Sequence, residues 1–179
     1  NSVFLAHQQP LEEITTIHCD TASLTSVNLL RVLLAERGLR PALEPLPSYA
    51  QAATLDNVLL IGNPGIDFLR APHTHTIWDL GAAWRELTDL PFVYAGWALR
   101  RGHHNTALRD HLRAAKARGL EQLPEIIATQ PDYDAAFRQA YLGGHIQYEL
   151  GETEKAGLNK FVELLKTHGE QEVHEPSFV

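Results

Sequence analysis

The chain reads as an α/β protein with a largely parallel sheet, and three observations predict that class. Short apolar runs with strand flanks alternate with helical stretches between residues 2 and 99. The two longest apolar runs, Ser2–His7 and Phe92–Leu99, bracket that alternation. Beyond Arg100 the pattern is helical, with no convincing strand. Together they predict two lobes with a cleft, the first lobe incomplete in this chain. Residues 1–8 are expected as a hinge strand, 9–91 as an inserted α/β lobe, and 92–99 as the return hinge strand. Residues 100–179 are then helices packing on the mostly missing first lobe. A cleft crossed by two hinge strands is the expected ligand site.

Taken in order, SVFLAH is short and apolar enough for a buried strand, closed by Pro10, with LEEI as a turn or short helix. Ile17–Cys19 is a strand. Ser26–Arg37 is a helix that is apolar on nearly every side and ends at Gly38. Arg40–Leu46 fits an edge strand and Ser48–Leu55 a short helix. Val58–Ile61 is a buried strand stopped by Gly62, with Asn63–Pro64–Gly65 as turn chemistry. A helix begins near Ile66. His73–Trp78 is irregular or extended, and Asp79–Thr88 is helical. Asn105 caps a helix expected to end at Gly119. Asp132 caps another with Tyr133, Phe137 and Tyr141 on one face, and Thr153 starts a third. The tail after Gly169 is polar.

Composition narrows the function. The 179 residues are 44% hydrophobic, enough for a core, and carry 15 basic against 22 acidic side chains for a net charge of −7. Without a basic block or a basic-aromatic stripe, nucleic acid is not an expected partner. No apolar run reaches the ~20 residues a bilayer span needs, so neither is a membrane. A single cysteine, Cys19, excludes an intramolecular disulfide and suits a reducing compartment. The chain has no Met and enters an apolar run at once, so residue 1 is read as an internal position of a longer protein.

Several candidate sites weaken on inspection. His73 with His75, and His103 with His104, lack Cys or carboxylate companions at ligand spacing, so no metal is expected. Strand alternation sends His18 and Asp20 away from the face of Cys19, which reads as a buried thiol rather than a nucleophile. Gly62–Asn63–Pro64–Gly65 lacks the Lys and the spacing of a phosphate loop. Trp78, Trp84 and Trp97 are expected in packing.

What remains is a polar set at strand ends: Ser2, the helix start Ser23, Thr25 and Ser26, and Asn63. One hydroxyl suffices to cap a helix. Three within four residues, after a strand, also suit an anion held by free N–H groups and the helix dipole. Ser23–Ser26 and Asn63 fall beyond the carboxyl ends of strands, where α/β sheets bind ligands. Ser2 lies at the amino end of its strand, but on a strand expected to cross the cleft. The set is neutral and rich in donors, suited to carboxylates.

The segments TSVNLLRVLLAERG, LLIGNPGI, IWDLGAAWRELTDLPFVYAGWALR and YLGGHIQYELGETEKAGLNKF resemble the chorismate dehydratases of the futalosine route to menaquinone. The block from Asp79 to Trp97 is the most specific. The resemblance implies a fold like the type II periplasmic solute-binding proteins, used by a cytoplasmic lyase that needs no cofactor. It implies loss of water from chorismate to give 3-[(1-carboxyvinyl)oxy]benzoate. The small-molecule substrate is a dicarboxylate, so two anchors are needed. Ser23, Thr25 and Ser26 would form one, and Ser2 would serve the second carboxylate or the leaving hydroxyl. Two departures stand out: Leu24 sits where relatives often carry Arg, and Asn63 where they usually carry Asp, so this position cannot act as a base. With an all-neutral set, the substrate's own enolpyruvyl carboxylate is expected to take the proton. The resemblance assigns no catalytic residue, and the fragment alone is expected to be inactive. A homodimer is compatible with the pattern. A non-catalytic binding protein for a small carboxylate stays open, as does the related dihydroxynaphthoate synthase, which fits less well around residues 79–97.

Overall fold

The structure, a computed structural model, describes residues 2–100, 105–169 and 172–179. They fall into two compact units, residues 1–95 with 150–179, and residues 96–149.

The first unit is built on a five-stranded sheet of order β3-β2-β4-β1-β5. Its strands are β1 (Val3–His7), β2 (Thr16–Cys19), β3 (Ala42–Pro45), β4 (Asn57–Ile61) and β5 (Thr76–Asp79). β2 runs parallel to β3 and to β4, whereas β1 runs antiparallel to both β4 and β5. Four strands therefore share one direction, but β1 opposes them from inside the sheet, so two pairings are parallel and two antiparallel: the sheet is mixed, which corrects the largely parallel expectation. Phe4, Leu5, Ala6, Val58, Leu59 and Leu60 are all but fully buried, because β1 and β4 lie inside the sheet with both faces covered.

Helices α1 (Leu24–Glu36), α2 (Gly62–Arg70), α3 (Leu80–Thr88) and α6 (Glu152–His168) complete this unit. Alternation along the strands separates two cores. Leu5, Ile17, Cys19 and Leu59 pack against Leu29, Leu30 and Leu33 of α1, Trp84 of α3, and Phe161 and Leu164 of α6. Phe4, Ala6, Val58 and Leu60 pack on the other face, against Phe68 of α2 and Ala52 of the 3-10 turn Tyr49–Thr54. Hence α1, α3 and α6 cover one face and α2 the other.

The second unit holds α4 (Thr106–Thr129), α5 (Ala135–Ala140) and the wide helical turn Tyr141–His145. Arg138 ties these pieces together by donating to the carbonyls of Ile127 at 2.6 Å and Tyr133 at 2.5 Å.

Several expectations are corrected. Phe92–Leu99 forms no strand. β5 already occupies the sheet position beside β1, and the run packs by side chain at its start, whereas Tyr94, Ala95, Trp97 and Ala98 are exposed. Phe92 meets Trp84 with ring centroids 5.3 Å apart and Phe161 at 4.8 Å, while Trp97 is 66% exposed rather than packed. The extended stretch before Asp79 is the strand β5, held by pairing with β1. Asn63–Pro64–Gly65 is the first turn of α2, not a free turn. The bend falls one residue earlier, at Gly62, whose φ of +60° suits glycine. α4 continues past Gly119 and through Pro124. The cap of α5 is Asp134, accepting from the Phe137 N–H at 2.8 Å, because Tyr133 takes a left-handed φ of 62° that a helix cannot include. The tail helices are not one block, since α6 packs on α1 within the sheet unit.

Candidate functional site

The sheet has a topological switch point. β2 and β4 are parallel neighbours, yet β2 leads into α1 on one face and β4 into α2 on the other. Diverging helices open a crevice beyond the carboxyl ends of such strands, where open α/β sheets bind ligands. Both helix starts lie at that end of the sheet.

At the first start, the Ser23 side chain is the N-cap of α1 and accepts from the Ser26 N–H at 3.2 Å. The Ser26 hydroxyl, 2% exposed, donates to the same Ser23 oxygen at 3.1 Å. Two of the three hydroxyls thus shape the helix start, and Thr25 stands half-buried beside them. At the second start, the cap position is Ile61, which has no side-chain oxygen, so the first N–H groups of α2 receive no side-chain cap. Asn63 is exposed in this first turn. Gly65 permits close packing beneath it, because a Cβ there would lie 3.1 Å from the Phe4 ring and 3.5 Å from the Ser2 carbonyl.

Ser2 reaches the same edge. Because β1 opposes β4, its amino end lies beside the carboxyl end of β4, and the Gly62 N–H donates to the Ser2 carbonyl at 2.8 Å. The position of Ser2 at the beginning of its strand, a difficulty in the sequence, is resolved by strand direction. Topology therefore gathers Ser2, Ser23, Thr25, Ser26 and Asn63 at one edge of one sheet.

The edge is not neutral. Asp20 follows β2 and is 3% exposed. Its Oδ1 accepts from the Ala22 N–H at 2.9 Å and from the Tyr49 hydroxyl at 3.1 Å. Its buried Oδ2 has no hydrogen-bond partner among the described residues. Partial loss of water, then the bond to Asp20 and its charge, push the Tyr49 phenol above its ordinary value of 10.0. Asp79, at the end of β5 on the same edge, caps α3 by accepting from the Ala82 N–H at 2.7 Å. Gly81 lets the Tyr94 hydroxyl approach that start, since a Cβ there would lie 2.9 Å from it. Sequence reasoning weighed Asp20 only as a neighbour of Cys19. The signal that could have found it was its place directly after a strand and before a hydroxyl-rich helix start.

The discounted residues lie elsewhere. Cys19 is 2% exposed beneath α1, and burial pushes its thiol from 9.0 to about 12, so it is no nucleophile. His73 stacks on Phe68 at 4.9 Å, and His75 Nε2 donates to the Leu55 carbonyl at 2.7 Å. His103 and His104 lie outside the described residues. Among the described residues no group of three or more His, Cys, Asp or Glu could hold a metal ion, and no helix is long and apolar enough to cross a membrane. A groove of about 340 Å³ lies between α1 and α3, lined by Leu33, Glu36, Arg37, Ala83, Glu86 and Leu87. It flanks the far end of α1 and is not the crevice.

Comparison with known proteins agrees with the resemblance. The chain is 34% identical to a chorismate dehydratase of Thermus thermophilus, over 92% of this chain and 68% of that protein. A solved structure, an ABC transporter from Parabacteroides distasonis, aligns with 93% of the chain at 17% identity and a TM-score of 0.48. The chain spans 64% of the length of that structure. The family described as menaquinone biosynthesis matches residues 1–167, and the chain belongs to that family.

Proposed function

We propose that the protein is a chorismate dehydratase, a lyase that removes water from chorismate to give 3-[(1-carboxyvinyl)oxy]benzoate. The observation that carries this reading is the 34% identity to the Thermus enzyme across 92% of the chain. The crevice supports it. Two helix starts on opposite faces of one sheet supply N–H donors and positive dipole ends, and chorismate brings two carboxylates. Thr25 and the start of α1 hold one carboxylate; Ser2, Asn63 and the start of α2 hold the other. A second lobe, as in the type II periplasmic solute-binding proteins, closes over the ligand, and the enzyme works in the cytoplasm.

The reaction makes modest demands on the protein. The ring carbon bearing the ether loses a proton, its neighbour loses hydroxide, and the two combine as water. The ring becomes aromatic, which supplies the driving force. The substrate's enolpyruvyl carboxylate lies close to that proton and takes it, while the crevice fixes the conformation in which it can. Incubating the full-length protein with chorismate tests this directly. The expected result is loss of the diene absorbance with stoichiometric formation of the dehydrated aromatic product. Saturable binding without turnover would leave a binding protein for a small carboxylate. A pH–rate profile governed by an essential enzyme group near neutrality would overturn the substrate-derived base.

A further inference from the structure

We propose that Asp20 is the specificity residue of the crevice: its Oδ2 accepts a hydrogen bond from the ring hydroxyl of the ligand. The inference rests on the dehydratase reading and assigns the hydroxyl-recognition point within it.

Three observations carry it. Asp20 is 3% exposed, and its Oδ2 is buried with no partner among the described residues. Leaving a buried polar oxygen unmatched is costly, so a ligand donor at this point gains what the fold leaves unsatisfied. The other oxygen is fixed, since Oδ1 takes both the Ala22 N–H at 2.9 Å and the Tyr49 hydroxyl at 3.1 Å. That pair holds the carboxyl plane, so the direction of Oδ2 is set before a ligand arrives. Finally, the carboxyl lies at the switch point. Cys19 packs beneath α1, alternation turns the next side chain to the opposite face, and the Tyr49 contact shows that Asp20 takes that face, beside the strand that leads into α2.

The chemistry at this point differs from that at the helix starts. Backbone N–H groups at α1 and α2 only donate, and they receive carboxylates. Oδ2 only accepts, and it repels a carboxylate. The crevice therefore reads a pattern: anionic groups at the helix starts, and a donor hydroxyl at Asp20. Chorismate and its dehydrated product carry the same two carboxylates and differ at the ring hydroxyl. Asp20 accordingly discriminates substrate from product, and the loss of that bond on dehydration weakens the hold on the product.

The test uses full-length wild type, Asp20→Asn and Tyr49→Phe, with chorismate as substrate and 3-[(1-carboxyvinyl)oxy]benzoate as competitive inhibitor. For Asp20→Asn, whose amide replaces one acceptor oxygen by a donor, KM for chorismate rises about ten- to a hundredfold. The inhibition constant of the product stays within about twofold, because the product makes no bond there. Tyr49 is 52% exposed, so Tyr49→Phe keeps the fold and frees the carboxyl to turn. Its ratio of substrate to product affinity falls about threefold, and this variant decides the question if Asp20→Asn does not fold. Equal weakening of both ligands, or an unchanged ratio in the folded variants, overturns the assignment and leaves Asp20 a structural residue. Absence of chorismate turnover and binding in the wild type is a separate outcome: it removes the dehydratase reading, and this inference with it.

Discussion

Ser23 and Ser26 show how much of a hydroxyl-rich helix start is structural. Ser23 caps α1, and Ser26 donates to it from a buried position. Ser23→Ala is expected to destabilise the protein by about 1 kcal/mol, read as a lower unfolding midpoint in urea, whereas Ser23→Gly costs only a few tenths. Cys19 makes a second residue-level prediction. Its folded pKa is raised from 9.0 to about 12 by burial, so the folded state binds the thiol proton more tightly than the unfolded chain. That contribution is complete below pH 9.0 and is lost as pH rises to about 12, so urea midpoints decline across this window, less so in Cys19→Ala. The same burial keeps the native thiol inert to iodoacetamide until the protein is unfolded. Ser23, Thr25 and Ser26 were legible as candidates because helix caps are local chemistry. Asp20 was not, because its burial and its bond to Tyr49 come from a segment distant in sequence.

Among the elements, α3 and α6 depend on one aromatic cluster. Trp84 is fully buried, with ring centroids 5.3 Å from Phe92 and 5.8 Å from Phe161. Trp84→Ala removes that hub and is expected to cost about 3–5 kcal/mol, enough to shift thermal unfolding strongly. Gly157 gives a sharper test, because helix propensity and packing oppose each other there. Alanine in a helix interior usually gains about 1 kcal/mol over glycine. Here a Cβ would stand 2.1 Å from the Pro91 carbonyl oxygen, inside any real contact. Packing decides the sign, and Gly157→Ala lowers the thermal midpoint. A midpoint that rises would show that α6 does not seat on the Pro91 backbone. The fate of Phe92–Leu99 follows the same logic. Its apolar run suggested a strand beside β1, but β5 takes that place, and no described strand pairs with the outer side of β5.

For the whole molecule, the sheet sets a gradient of protection. β4 lies at the centre between β2 and β1, with Val58, Leu59 and Leu60 no more than 1% exposed, whereas β3 is an edge strand with an exposed Ala42. Hydrogen–deuterium exchange should find the amides of β4 and β1 slowest and those of the outer side of β3 fast. Uniform exchange across the five strands would contradict this order. The crevice belongs to the same scale. As proposed, it follows from α1 and α2 leaving neighbouring parallel strands for opposite faces, a property of the sheet and not of either helix.

The amino-acid sequence alone determined the α/β class, four of the five strands, the capped start of α1 and the chain's kinship. These rest on short-range signals: apolar period, capping side chains, glycine at a bend, and a motif order. Only the tertiary structure decided that β1 runs against its neighbours and brings Ser2 to the carboxyl end of β4, that Phe92–Leu99 is not a strand, and that Asp20 is buried with one oxygen unmatched among the described residues. Strand direction, face choice and burial depend on partners far apart along the chain. Local propensity carries no record of which distant segment will arrive.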